Sequence, residues 1–276
     1  MSLSDFVRRL FGAPAPASRL ATSDAPSTDE AVTRWQKALR DFGYPHKIVS
    51  PRQVHEALRT EEEIGAREGF TPVIIVPGLW SSERVAPEKR TKQALGLLGG
   101  KCDASFGREF LARKFAALYD DFELDPEGLD PALFDTLRPV SPVAVEPGLW
   151  LLRRYNRETR SMEDLPQVSI MRIPTTESHT IPVHLDWGGW NAAPTPLEIV
   201  AVSRYWGESY GARLTAIGSA QLEFTVTRKP AGHAEAVTLL KEQYCFAPDN
   251  WQNDRNMLEE AAAELLVSDT WFFWWD

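Results

Sequence analysis

Cysteine is nearly absent from this chain and histidine is scarce, with two of the first and five of the second in 276 residues. Cys102 and Cys245 lie far from each other and from any histidine pair at metal-ligand spacing. Neither a zinc site nor a disulfide framework is therefore expected, and no cofactor is called for. A reducing cytoplasm fits this usage. Cations are in deficit too, 30 Lys and Arg against 39 Asp and Glu, for a net charge of -9 and a pI near 5.2. A nucleic-acid surface needs clustered Lys and Arg to neutralise phosphates, so no nucleic-acid partner is expected. A basic protein partner is compatible with the charge, although acidity also serves solubility alone. The longest apolar runs, Val73 to Val76 and Trp271 to Trp275, fall far short of the roughly 20 residues of a membrane-spanning helix. Near the start, Arg8 and Arg9 interrupt Phe6, Val7, Leu10 and Phe11, which reads against a secretory signal.

Strong catalytic signatures are missing as well. There is no Gly-x-Ser-x-Gly elbow and no His-Glu-x-x-His pair. Gly96-Leu-Leu-Gly-Gly-Lys101 invites comparison with a phosphate loop, but that motif needs Gly at Leu95 and Ser or Thr at Cys102.

What the chain does have is organisation. Residues 1–29 are rich in Ala, Pro, Ser and Thr and read as a tether outside the fold. Residues 30–175 read as an N-terminal α/β region. Helices are expected at Glu30 to Phe42, from Ser50 to near Gly69 behind a capping box, at Glu88 to Leu98 and at Phe106 to Leu118. Strands are expected at His46 to Val49 and Thr71 to Val76, the latter continuously apolar like a strand covered on both faces. Leu149 to Tyr155 and Val168 to Ile173 read as a hairpin joined by a charged loop. Pro77-Gly-Leu-Trp80 recurs as Pro147-Gly-Leu-Trp150, without the further correspondence that a duplication would carry.

Residues 176–276 read as an aromatic-rich α+β domain holding seven of the ten tryptophans: Trp187, Trp190, Trp206, Trp251, Trp271, Trp274 and Trp275. Thr195-Pro-Leu-Glu198 is a capping box opening a helix that Gly211 ends. Arg213 to Ile217 and Gln221 to Val226 form a hairpin around Gly218-Ser219. Helices follow at Gly232 to Tyr244 and Asn256 to Val267. The terminal Trp271-Phe-Phe-Trp-Trp275 is apolar on both faces, so a buried strand with neighbours on both sides is expected.

In this half, Gly188-Gly-Trp-Asn-Ala-Ala-Pro194, Ser203-Arg-Tyr-Trp206, Tyr210-Gly-Ala212, Phe246-Ala-Pro-Asp249 and Trp271 to Asp276 stand in order. With these motifs the chain resembles a bacterial family known only as a domain of unknown function, marked by Trp-Asn-x-x-Pro, an Arg-Tyr-Trp helix and a Phe-Trp-Trp-Asp ending. The resemblance covers about residues 181–276, with a looser match around Ile64 to Val76. It implies no activity.

The candidate site residues are polar groups and aromatic rings in this half: Trp190, Asn191, Arg204, Tyr205, Trp206, Tyr210 and Asp249, with Asp276 beside them. Arg204 lies in an otherwise apolar helix, so its guanidinium is expected to be buried against Asp249 or Asp276. The set reads either as a ligand site walled by Trp190 and Trp206 or as a structural network locking the terminal strand. His184 and Asp186 form an acid-base pair only if they alternate on a strand, since Thr180-Ile-Pro-Val argues against a helix there; an ordinary loop-edge histidine is the plainer reading. The expected fold is α+β, a mixed or antiparallel sheet flanked by helices with its C-terminal strand buried. Two functions compete: a non-enzymatic, acidic, cytoplasmic protein-binding protein, of the kind that neutralises a toxin, and an enzyme or small-ligand binder near Asn191, Arg204 and Asp249.

Overall fold

The computed structural model of the chain describes residues 28–78, 96, 102–124, 129–142, 148–156, 159–251 and 254–275. The expected tether therefore lies outside the described residues up to position 27, and the helix expected at Glu88 to Leu98 lies almost wholly outside them.

The fold is α+β. Helix α1 (Thr28–Phe42) leads to β1 (His46–Val49), α2 (Pro51–Glu68) and β2 (Thr71–Ile75). After α3 (Ala104–Leu124) come 3-10 turns at Pro131–Thr136 and Trp150–Leu152, then β3 (Arg153–Asn156), β4 (Ser161–Asp164) and β5 (Val168–Ile173). The remainder runs α4 (Ile181–Leu185), α5 (Pro196–Tyr210), β6 (Arg213–Ile217), β7 (Gln221–Thr225), α6 (His233–Phe246), α7 (Arg255–Leu265) and β8 (Thr270–Trp274). None of the described helices is long and apolar enough to cross a membrane.

Six strands form one mixed sheet in the order β1-β5-β2-β6-β7-β8, parallel between β2 and β6 and antiparallel elsewhere. Alternate residues of a strand face opposite ways. In β2 this sends Val73 and Ile75 into the larger core and Ile74 into a smaller one on the other face. Every residue of β2 is buried, as its unbroken apolar run predicts. Trp35 of α1 clips onto this strand, its Nε1 donating to the Ile75 carbonyl at 3.3 Å. The larger core lies between the sheet and α1, α3, α5, α6 and α7; α2 and the Leu149 to Leu152 segment cover the other face. The regions expected on either side of residue 175 thus share one sheet and one main core.

The termini of α5 match their sequence signals. The Thr195 hydroxyl accepts from the Glu198 N–H, the Glu198 carboxylate accepts from the Thr195 N–H at 2.8 Å, and Gly211 closes the helix at φ 61°. At α2 the box fails, because Ser50 donates to the Gln53 side-chain oxygen at 3.0 Å and makes no side-chain cap to the backbone. A buried carboxylate joins α2 to the sheet: Glu61 accepts from Arg172 at 2.7 and 3.2 Å and pairs with Lys47 at 2.9 Å. Burial pushes Glu61 up, but these two cations outweigh it and hold its carboxyl below the usual range.

Three expectations are corrected. The strand at Arg153 pairs not with β5 but with β4, inside the segment expected as a loop, and this hairpin stands apart from the main sheet. The Leu149 to Leu152 part of the expected strand bends into a 3-10 turn that buries three leucines on the sheet. The C-terminal strand is in the main sheet with Trp271 and Phe273 buried, yet among the described residues β8 has a neighbouring strand on one side only. Its half-buried Phe272 and Trp274 face away from the main core.

Candidate functional site

Consecutive residues of a helix point about 100° apart, so Arg204, Tyr205 and Trp206 face three directions from α5. Trp206 enters the core fully buried, its ring stacked on Phe273 at 5.4 Å and edge-on to Phe224, Phe246 and Trp271. It cannot wall an open pocket. Its Nε1 donates to one oxygen of Glu242 at 2.9 Å, and the Tyr205 hydroxyl donates to the other at 2.8 Å. Burial raises the Glu242 carboxyl above its usual range, an effect these two donors and Arg108 partly offset. Burial and the adjacent Glu242 push the Tyr205 phenol up to about 12, while the Arg108 guanidinium lies 5.2 Å over its ring. Tyr210, buried edge-on to Trp271 at 5.5 Å, is likewise raised by burial and then by Glu242.

Arg204 turns outward instead. Its side chain keeps 43% of its accessible surface and pairs with Glu208 one helical turn on, at 3.3 Å. The expected burial of Arg204 is thus corrected, since the third direction available at this point of α5 is solvent; Asp276, one of its expected partners, lies outside the described residues.

The Gly188-Gly-Trp-Asn segment is a tight turn. Gly188, Gly189 and Asn191 all have left-handed φ, at 112°, 80° and 46°. A Cβ at Gly188 would meet the Pro194 carbonyl at 2.5 Å. The turn holds Trp190 half-buried against Trp187, 4.6 Å between ring centroids, and leaves Asn191 exposed. Trp187 is fully buried, donates from Nε1 to the Gly218 carbonyl at 2.8 Å and meets Trp275 at 5.4 Å. Trp275 continues through Phe246 to Trp206. Rings from the expected motifs therefore form one aromatic chain joining the turn, α5, α6 and the C-terminal segment.

Residues 169–276 match DUF4253, a domain of unknown function. The DUF4253 segment begins inside β5, ahead of the Ile181 start that the motifs suggest, and takes in β5 through β8. No curated protein and no solved structure matches the chain.

Within the DUF4253 segment, Tyr205, Trp206 and Tyr210 are brought together around Glu242. Trp190 is tied to them only through the aromatic chain. Asn191 sits on the exposed turn, Arg204 on the outer face of α5, and Asp249, half-buried, in the 3-10 turn Pro248–Asn250. The His184 and Asp186 pairing on a strand is also corrected. Pro182 stands in the first turn of α4, where a missing N–H costs nothing, and Asp186 ends that helix in the left-handed region at φ 50°. His184 is buried edge-on to Tyr44 at 6.3 Å, its Nδ1 has no hydrogen-bond partner among the described residues, and burial lowers its pKa.

Two residues outside the expected set carry much of the polar architecture. Asn250 lays its side-chain amide along the outer edge of β8, donating to the Phe272 carbonyl and accepting from the Trp274 N–H, both at 2.7 Å. Glu223, fully buried in β7, accepts from the N–H groups of Trp150 at 2.7 Å and Leu151 at 3.0 Å. It thereby caps the 3-10 turn that covers the second face of the sheet. Burial pushes its carboxyl up to about 8, against the smaller effect of those two donors.

Proposed function

We propose that the chain is a non-enzymatic protein-binding protein, acting in the cytoplasm and of the kind that neutralises a toxin partner. The observation that supports this reading is what four carboxylates inside the fold do. Glu61 is held by Arg172 and Lys47, Glu223 by Trp150 and Leu151, Glu242 by Tyr205 and Trp206, and Glu259 by the Arg138 N–H at 2.9 Å. A general acid or base must reach a proton on its substrate, whereas each of these groups reaches a donor of its own chain and ties two elements together. Such an interior is a scaffold, and the working surface is its outside. A net charge of -9 favours a basic partner and speeds its approach at low salt.

The test is affinity capture from the native cell with the full chain immobilised, washed at low and then at high salt. A basic protein retained at low salt and released at high salt is the expected result. Failure to retain any protein, together with a thermal shift from a small molecule that an Arg204→Ala variant loses, would replace this reading with that of a ligand binder.

A further inference from the structure

We infer that the turn Leu149 to Leu152 is a strap that lifts from the sheet as a unit, and that Glu223 is the proton-operated latch that holds it down. The turn covers the second face of the sheet without joining its ladders. Leu149, Leu151 and Leu152 share the smaller core with Ile74 and Ala216, and burial of this kind is non-directional. The hairpin that follows, β3 with β4, makes a sheet of its own, and the Leu165 N–H closes its base onto the Leu152 carbonyl at 2.8 Å. Among the described residues, the hydrogen bonds from this turn to the main sheet are two: the Trp150 and Leu151 N–H groups donate to the two oxygens of Glu223, at 2.7 and 3.0 Å. One side chain thus supplies every directional bond that seats the strap.

That side chain is placed so that its charge decides the position of the strap. Glu223 is fully buried in the middle of β7, opposite Ala216 of β6 and Phe272 of β8, and neither neighbour can pair with a carboxylate. The charges on the elements around it are engaged elsewhere. Arg213 of β6 pairs with Glu62 of α2 at 2.8 Å, Glu61 of α2 pairs with Lys47 and Arg172, and the Arg153 guanidinium of β3 lies over the Trp150 ring. Among the described residues no side chain bonds to Glu223; burial and the two backbone N–H groups set its protonation.

A buried carboxylate without a cation is costly, and two N–H donors offset only part of that cost. Closed, the strap therefore holds the carboxyl protonated; opening lets water reach it and the proton leave. Under the closed strap the group titrates at about 8, and once opened near its ordinary 4.5, so closure is fully favoured below about pH 4.5 and weakens as pH rises through the interval between these values. Above about pH 8 both states are ionised and the weakening stops. The smaller core therefore opens to water on the alkaline side while the centre of the sheet stays paired.

The test is native-state amide hydrogen exchange of the full chain from about pH 5.5 to 9, with protection taken relative to the unprotected chemical rate at each pH. Protection of the Trp150 and Leu151 amides should fall about tenfold per pH unit, about a hundredfold between pH 5.5 and 7.5, and level off above about pH 8. Low urea should change it little, because lifting the strap exposes little surface, whereas the amides of β2, which exchange through wider unfolding, should respond steeply. Glu223→Gln should flatten the pH profile. Glu223→Leu, which keeps no acceptor, should leave both amides weakly protected at every pH and serves if the Gln variant does not fold. Asn250→Ala, which acts on the edge of β8 instead, should keep the wild-type pH profile. A urea sensitivity of Trp150 and Leu151 equal to that of the β2 amides would overturn the strap, since the turn would then open only with the whole fold. Protection that does not change with pH in the wild type, or a pH slope that survives both Glu223 substitutions, would overturn the latch.

Discussion

Replacing Glu223 with Gln should remove a pH dependence of stability that this one carboxyl creates. In the fold it is pushed up from 4.5 to about 8, chiefly by burial. The folded state therefore holds a proton that the unfolded state has released across the range between those values. Stability from this group is fully present below about pH 4.5 and is lost as pH rises through about 8. The slope is about 1.4 kcal/mol per pH unit, so about 3 kcal/mol should disappear between about pH 5.5 and 7.5. Glu242 and Glu264 are raised by burial and act in the same sense, while His184 and His179 are lowered by it and act oppositely. Only the difference between wild type and variant isolates Glu223. Gln keeps one acceptor for the Trp150 and Leu151 N–H pair and turns an NH2 toward the other, a loss of about 1 to 3 kcal/mol independent of pH. Urea unfolding at several pH values should accordingly find the variant less stable than wild type near pH 5.5 and closing the gap, or reversing it, by pH 7.5. A difference that stays constant within about 1 kcal/mol over that range would refute the idea that a neutral carboxyl caps this turn.

Asn250→Ala should strip β8 of both edge bonds and cost about 2 to 4 kcal/mol in urea titrations, with faster exchange of the Trp274 amide. Gly107→Ala should destabilise by about 1 to 3 kcal/mol, because a Cβ there runs into the Ala201 carbonyl where α3 crosses α5; thermal melts report it. His184 is held neutral by burial, so its contribution is present above about pH 6.5 and lost as pH falls below that value. A His184→Phe variant should lose less stability than wild type on acidification from about pH 7 to 5.

The elements were legible where local chemistry and tertiary packing agree. Thr195, Glu198 and Gly211 bound α5 by themselves, and the β-branched run of β2 can only be a covered strand. The site was less legible because side-chain direction depends on what packs outside the helix. Arg204 among apolar neighbours reads as a buried cation, but three consecutive large residues cannot all face inward, and the two aromatic rings take the core side. Glu223 gave no signal: a charged residue alternating with Leu222 and Phe224 reads as solvent-facing, and nothing near it in sequence tells that Leu149 to Leu152 will cover it. Asn250 shares its turn with Asp249, and only the path of β8 decides which of the two side chains meets the strand. The edge position of β8 was hidden for a similar reason, since five consecutive apolar residues describe a covered strand without saying that a single amide stands in for the missing neighbour.

The order of strands bears on what the DUF4253 segment can be. That segment supplies β5 through β8, yet β5 and β6 are not neighbours; β2, from residues 71 to 75, lies between them, antiparallel to one and parallel to the other. Without β2 both strands would expose unpaired backbone in the middle of the sheet, and the cores on both faces would open. Val73, Ile74 and Ile75 are fully buried, and at roughly 2 kcal/mol each they contribute about 6 kcal/mol, as much as the whole net stability of many domains. The looser resemblance around Ile64 to Val76 falls on this piece, the end of α2 and the strand it delivers. The N-terminal region is therefore part of the same sheet. It inserts the central strand, fastens it through Trp35, and supplies β1 at the far end of the described sheet.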